Sequence, residues 1–471
     1  MINSISSCSG PAERGLCNCN NSSTFKYDEY VTAESNFFVF SSDFIYGERM
    51  PNDLTSRSYA EDLDANDKLA KFRDEFVITD KSLSYLDGNS LGRMPKATAK
   101  VVADYLQQEW ATKLVTGWSE WIDEAQQVGD LVGRATFGAT AGQTLCVDTT
   151  SVNFYQLCCA AIDARPNRKT IVTDTANFPT DRYILEGICK QRGMKLVLID
   201  DDSGEEFVSP EMLAAVLNDD VALVTLSVIQ YRSGVLHDIG KLTQLARDSG
   251  ALFVWDASHA VGVVPMQFER DKVDLAVGCT YKYCNSGPGS PAWLFVGKSM
   301  QAELQVPIQG WFAQRDQFAM GQGFDRADDI RGFQIASPSI IGMRCVETAI
   351  AMIERAGLPD IAQKAAVGTD LMITLHDEWL APLGFSVVTP RDAKRRGGHI
   401  SIRHEHAQKI SEAMRIFSGV IGDYRQPDCI RLAISPLATS FVEVFDGFAR
   451  TRDLVATKKY LEVKESSSRV T

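Results

Sequence analysis

No apolar run in this 471-residue sequence reaches the roughly 18 residues that a membrane-spanning helix needs. The opening residues, MINSISSCSGPAERG, lack the basic-then-apolar order of a secretory signal, so the expected location is the cytoplasm, with no membrane partner. Basic residues are also outnumbered: 48 Lys and Arg stand against 61 Asp and Glu, a formal charge of -13. That balance excludes a nucleic-acid partner, because displacing counterions from a polyanion takes a basic surface. Histidine is scarce, at six. Cysteine is not, but its eleven copies are odd in number and lie mostly in apolar segments (Cys158, Cys159, Cys279, Cys345), which suits reduced core thiols better than a disulfide framework. Cys8, Cys17 and Cys19 fall in a Ser/Asn-rich stretch whose spacing fits no zinc pattern, and no metal is expected.

Hydrophobic residues make up 45% of the chain, enough for one large core or two joined ones. Residues 1–55 are polar, turn-rich and aperiodic, and read as an extension. A helical pattern is predicted from Asn66 (DKLAKFRDEF), a short strand and turn over SLSYLDGNSLG, and a major helix over MPKATAKVVADYLQQEWATKLV. Short β-branched runs then alternate with helical stretches: KTIVTD (169–174), KLVLID (195–200), VALVTLSVI (221–229), LFVWDA (252–257), DLAVGC (274–279) and AWLFVG (292–297). Alternation of this kind predicts an α/β fold with a mainly parallel sheet covered by helices. After Gln334 a long helix (SPSIIGMRCVETAIAMIERAG) leads into a mixed region. The expected organisation is a large domain over 56–340 and a smaller α+β C-terminal domain over 341–465.

Ligands of such sheets bind beyond the carboxyl ends of the strands. There LFVW delivers Asp256, with His259 just after it; DLAVGC delivers Lys282 within GCTYKYCNSGPG; and VDTTSVN sets Thr149, Thr150 and Ser151 before an apolar helix. Singly, each has a plain structural reading as a helix cap or a solvated charge. Together they suit pyridoxal 5'-phosphate (PLP). A hydroxyl-rich helix start binds phosphate, a carboxylate keeps a pyridine nitrogen protonated, and a lysine amine condenses with the aldehyde.

The ordered motifs YLDGNSLG (85–92), NFPTDRY (177–183), WDASHAVG (255–262), GCTYKYCNSGPG, GWF (310–312) and IGDYRQPDCIRLAISPL (421–437) resemble those of the kynureninase family. These are fold-type I PLP enzymes of the aspartate aminotransferase superfamily, and the resemblance runs over about residues 66–455. It implies that Lys282 carries the cofactor, that Asp256 meets the pyridine nitrogen and that Phe178 lies on the ring face, with Pro179, Thr180 and Asp181 beside it. It implies further that Thr150, Ser151, Tyr281, Trp311 and Ser337 hold the phosphate, that Ser227 and His259 lie near the cofactor, and that Arg431 receives the α-carboxylate of a small amino-acid substrate. The implied catalytic set is Lys282, Asp256 and Tyr281, and the implied substrate set Arg431, Gln314 and Ser90. The family reaction is hydrolysis of the Cβ–Cγ bond of L-kynurenine to anthranilate and L-alanine, a step of tryptophan catabolism and NAD biosynthesis, performed by homodimers.

The chain departs from the family at the aryl end of the pocket. It has GWFAQ where GWFGH is common, ASPS at 336–339, and Ala438 where an aromatic ring is usual. A second expectation follows from this: a paralogue acting at the β-carbon of another amino acid. A cysteine desulfurase would need a nucleophilic cysteine on a mobile loop, whereas the cysteines here lie in core-like segments.

Overall fold

The computed structural model describes residues 53–464, apart from 202, 203 and 205. The expected extension over 1–55, with its three cysteines, lies almost wholly outside the described residues. Helix α1 (Arg57–Ala65) opens them, its first turn closed by the Ser56 hydroxyl accepting from Tyr59 N–H. The helix predicted from Asn66 is instead a 3-10 segment, Ala70–Glu75. The major helix predicted after Met94 is α-helical over Lys96–Asp104, widens to a π-turn over Tyr105–Trp110 and stops at Leu114, whose φ is +49°. Lys96–Asp104 is regular with no residue fully buried, and the π-turn begins at the buried Tyr105.

The six predicted strands form one sheet with a seventh, unpredicted one, Thr144–Val147. They are β1 (Thr144–Val147), β2 (Thr170–Asp174), β3 (Lys195–Ile199), β4 (Val221–Ser227), β5 (Leu252–Asp256), β6 (Leu275–Gly278) and β7 (Ala292–Val296), in the spatial order β1-β7-β6-β5-β4-β2-β3. β3, β2, β4, β5 and β6 pair in parallel, and β7 runs antiparallel between β6 and β1. Every residue of β4, β5, β6 and β7 is buried, which explains why these runs are apolar throughout rather than alternating. Helix α2 (Glu124–Thr136) lies on β1 so closely that a Cβ on Gly129 would come within 2.3 Å of the Thr144 carbonyl oxygen.

α3 (Thr150–Asp163), α4 (Pro179–Arg192) and α5 (Ile239–Asp248) follow β1, β2 and β4. The starts of α3 and α4 therefore sit at the carboxyl edge of the sheet. Pro179 pre-sets the first turn of α4, and Gly193 ends it at φ +65°. The long helix predicted after Gln334 is α6 (Ile340–Ala356), capped by the Ser339 hydroxyl and stopped by Gly357.

A second hydrophobic core gathers Ala60 and Leu63 of α1, Leu86, and apolar residues from Leu371 to Val463. Its sheet has four antiparallel strands, β8 (Ser386–Val387), β9 (His399–Arg403), β10 (Asp423–Arg425) and β11 (Cys429–Ala433), in the order β10-β11-β9-β8. Helices α7 (Leu358–Leu375) and α8 (Phe441–Ala456) cover it. Residues 85–92 run between the two cores. Leu86 exchanges backbone bonds with Ile421 and Ala433 at 2.8 and 2.7 Å, and Gly92 N–H donates to the Tyr281 carbonyl at 2.8 Å.

Candidate active site

Lys282 stands in the loop after β6, with its Nζ 2.9 Å from Nε2 of His259 and 5.9 Å from the centroid of the Phe178 ring. Burial lowers its pKa from the ordinary lysine range, which favours the neutral, nucleophilic amine. Burial first, then the lysine charge, holds His259 well below the usual imidazole range. The Phe178 ring is 37% exposed, a large share for an aromatic residue among buried strand ends. It leans edge-on against Tyr231, with centroids 5.3 Å apart.

Sequence reasoning missed the residue that fixes Phe178. Asn177 is fully buried; its Nδ2 donates to Thr173 Oγ1 at 3.0 Å, and its Oδ1 accepts from Phe178 N–H and Ser227 Oγ, both at 2.8 Å. Ser227, expected near the cofactor, thus spends its hydroxyl proton on this clamp between the ends of β2 and β4. The motif letters NFPTD contain Asn177, but only the strand order brings Thr173 and Ser227 to its two sides.

Asp256, at the tip of β5, accepts from Ser258 N–H at 2.8 Å. Across from it lies Asp181, in the first turn of α4, close enough for the two carboxyl groups to act on each other's charge. Burial, and then Asp256 itself, push Asp181 well above the usual carboxylate range; its Oδ2 has no partner. Two buried carboxyl groups facing each other call for a donor. The N–H of a pyridinium ring lying on Phe178 meets that need, and the amine of Lys282 stands within the same cluster. At the start of α3, the Thr149 hydroxyl caps Val152 N–H at 3.3 Å, leaving Thr150 part-exposed and Ser151 exposed, with a helix dipole suited to phosphate. Tyr281 is half-buried, and Cys279 and burial raise its phenol above the ordinary range, so it keeps its proton. These groups fit PLP. Pro179 and Thr180 form the start of α4 beside them.

Trp311 and Ser337 stand apart. Both are exposed, and among the described residues no hydrogen bond or ring contact joins either to Lys282, Asp256 or Phe178. The Gln314 amide is turned to its own loop, accepting from Asp325 N–H at 2.8 Å and donating to the Gly323 carbonyl at 3.5 Å.

Arg431, on β11, is buried and bound on every side. Its Nε donates to Asp423 Oδ1 at 2.7 Å, Nη2 to Asp423 Oδ2 and to Ser90 Oγ at 3.0 Å, and Nη1 to the Tyr231 carbonyl at 2.6 Å. Ser90 Oγ in turn donates to Asp423 at 2.9 Å. Arg425 pairs with the same aspartate at 2.6 Å. Asp87 lies beside this group, and burial followed by the charge of Asp423 raises it to about 7. Asp423 was not singled out in the sequence, since an acidic residue eight positions from an arginine carries no signal until β10 pairs with β11. The register sets Asp423 directly opposite Arg431.

The sheet order and the lysine-bearing loop define a fold-type I PLP enzyme. A cysteine desulfurase from Thermococcus onnurineus NA1 superposes with a TM-score of 0.71 at 19% identity, covering 82% of this chain and 98% of that one. Residues 361–450 match the sequence profile of the kynureninase C-terminal domain. Kynureninase of Pseudomonas fluorescens is 34% identical over 419 residues, 87% of this chain and 98% of its own; that of Burkholderia pseudomallei is 36% identical over 415 residues, 86% and 97%. The chain belongs to the kynureninase family.

Proposed function

We propose that the protein hydrolyses the Cβ–Cγ bond of L-kynurenine or 3-hydroxykynurenine, giving anthranilate or 3-hydroxyanthranilate and L-alanine. The observation that carries this reading is the placement of Lys282, with its amine 2.9 Å from His259, within a family whose members bear that activity in their names. PLP, when bound, supplies an electron sink for the bonds at Cα and Cβ. Lys282 holds it covalently and, once released by the incoming amino acid, takes the Cα proton at Nζ. Asp256, backed by Asp181, keeps the ring nitrogen protonated. Phe178 packs on the ring face. Thr150, Ser151 and Tyr281 bind the phosphate. The Tyr281 phenol, protonated in this site, is the acid that delivers a proton to Cβ. Arg431, its fork held by Asp423 and with Ser90 beside it, receives the α-carboxylate by its charge and by the N–H that these partners leave over.

Trp110, Leu114, Val115, Trp311, Phe318 and Met320 are exposed apolar side chains, each more than half exposed except Trp311 at 45%. They support a homodimer that covers them, which sedimentation would detect. No described helix is long and apolar enough to cross a membrane, and we assign the chain to the cytoplasm. The division into a large domain over 56–340 and a small one over 341–465 belongs to the same reading; two hydrophobic cores support two domains, with α6 packing on the first core and α1 on the second.

The test is direct: the PLP-loaded protein is given L-kynurenine and 3-hydroxykynurenine, and anthranilate products are measured. Turnover of either sustains the reading. Absence of product from both, with the cofactor bound, would instead favour the paralogue acting on another amino acid. That alternative finds no support in the relatives, which match over nearly their whole length.

A further inference from the structure

Four buried polar atoms near Lys282 have no hydrogen-bond partner: Nδ1 of His259, Nδ1 and Nε2 of His399, and the hydroxyl of Tyr283. The two imidazole rings lie 5.7 Å apart, centroid to centroid, tilted by 53°. Tyr283 adjoins the same spot, because a Cβ on Gly398 would lie 3.0 Å from its hydroxyl, one residue before His399. Buried polar groups in folded proteins are almost always satisfied, and a water bound between two to four such groups is a common way to satisfy them.

We propose that His399 is a positioning residue which, through a water seated between the two rings, fixes the tautomer of His259 and so sets which proton His259 shares with Lys282. The inference rests on the reading of Lys282 as the cofactor's anchor, but not on the identity of the substrate.

The chemistry follows from the partners. Nε2 of His259 is already committed to the Lys282 amine at 2.9 Å. A neutral imidazole carries one proton, so whichever group Nδ1 meets decides whether Nε2 accepts from the amine or donates to it. A water held by His399 can accept from Nδ1–H, which leaves the lone pair of Nε2 for the amine N–H; without that water Nδ1–H would be a buried donor with no acceptor, costlier than a buried lone pair with no donor. His399 suits this task because it too stays neutral: burial, then Arg431, lower it to about 3, while Asp423 acts in the opposite direction and Lys282 and Arg425 reinforce the lowering. An uncharged ring gives and takes a hydrogen bond without adding a cation beside the lysine. Only N–H and O–H hydrogen bonds are involved, and no oxidant or further reactant is needed.

The six histidines of the chain make the tautomer directly measurable. In full-length protein with 15N-labelled imidazoles and no PLP, His259 is expected to show a protonated Nδ1 and an acceptor Nε2. His399→Phe and His399→Leu remove the water's partner and are expected to shift both His259 nitrogens toward a mixture of tautomers. His399→Gln, which still gives and takes a hydrogen bond, is expected to restore them. With PLP loaded, the pH midpoint of the cofactor's visible band should move by about half a unit or more in the two apolar variants and return in the glutamine variant. Unchanged His259 signals in His399→Phe and His399→Leu would overturn the inference, as would a glutamine variant that behaves like them. Failure of kynurenine turnover would leave these signals untouched, so the two readings fail separately.

Discussion

Asp423 holds the fork of Arg431: two nitrogens of the guanidinium meet the two oxygens of one carboxylate across the β10–β11 register. The arginine proposed to capture substrate is therefore already bidentate with a neighbour that is 0% exposed. An incoming α-carboxylate meets a guanidinium whose direction is fixed in advance and whose charge is shared, with Arg425 on the other side of the same aspartate. Pre-orientation of this kind lowers the entropy lost on binding.

Arg431→Ala should raise KM by about ten- to a hundredfold, the scale of one charge-assisted hydrogen-bonded contact, while the cofactor spectrum stays intact. Steady-state kinetics beside absorbance titration with PLP would read both; equal damage to the two would argue against a carboxylate role.

Asp423→Asn should be harmful in a different way. It leaves the buried Arg431 and the part-buried Arg425 without their shared anion, a loss on the order of 3–5 kcal/mol for a broken buried pair. A lowered unfolding midpoint in denaturant is the expected result.

Lys282→Ala should abolish the visible band formed on mixing the protein with PLP, and Phe178→Ala should weaken PLP binding about tenfold, the scale of one aromatic contact. A band persisting in the lysine variant would end its assignment as the anchor.

Asp174 gives a pH test. It is buried at the end of β2, with one oxygen accepting from Gln230 at 2.5 Å and the other unpartnered, and burial raises it to about 7. A carboxyl raised in this way binds its proton more tightly folded than unfolded. Its stabilising protonation is present at low pH and is lost as pH climbs from about 4 through about 7. Asp174→Asn escapes that loss, so it should stabilise the chain by roughly 2 kcal/mol more at pH 8 than at pH 5. Urea unfolding at the two pH values would measure the difference.

Gln314→Ala should change KM for kynurenine by less than about threefold, because the amide is occupied by its own loop at Gly323 and Asp325. A large rise in KM would mean that the loop opens to release the amide toward substrate.

Strands β4 to β7, and the lysine loop that follows β6, were legible in the sequence because those strands are buried on both faces and leave unbroken apolar runs between turn signals, whereas β1, equally buried, is only four residues long and did not stand out. The same local logic placed the start of α3 at the Thr-Thr-Ser cluster. It failed at residues 66–76, where Leu69, Phe72 and Phe76 are buried from a 3-10 segment and its flanks rather than from an α-helix, and beyond residue 104, where the helix widens at the buried Tyr105. At the site, residue types with one dominant chemistry, such as Lys282 and Asp256, stood out. Asn177, His399 and Asp423 did not, since each works through partners far away in sequence: Ser227 50 positions on, Arg431 eight positions on and on a paired strand, and His259 across the boundary between the two cores.

The segment from Leu86 to Gly92 acts as a mechanical link. One end is stitched into the second core at Ile421 and Ala433, and the other grips the backbone of the lysine loop at Tyr281. Ser90, midway along, touches Arg431. A Cβ on Gly92 would come within 2.4 Å of the Lys282 carbonyl oxygen, so the link has no slack at that end. The arginine of the second core and the amine of the lysine loop are thus held in register by one short, taut length of backbone.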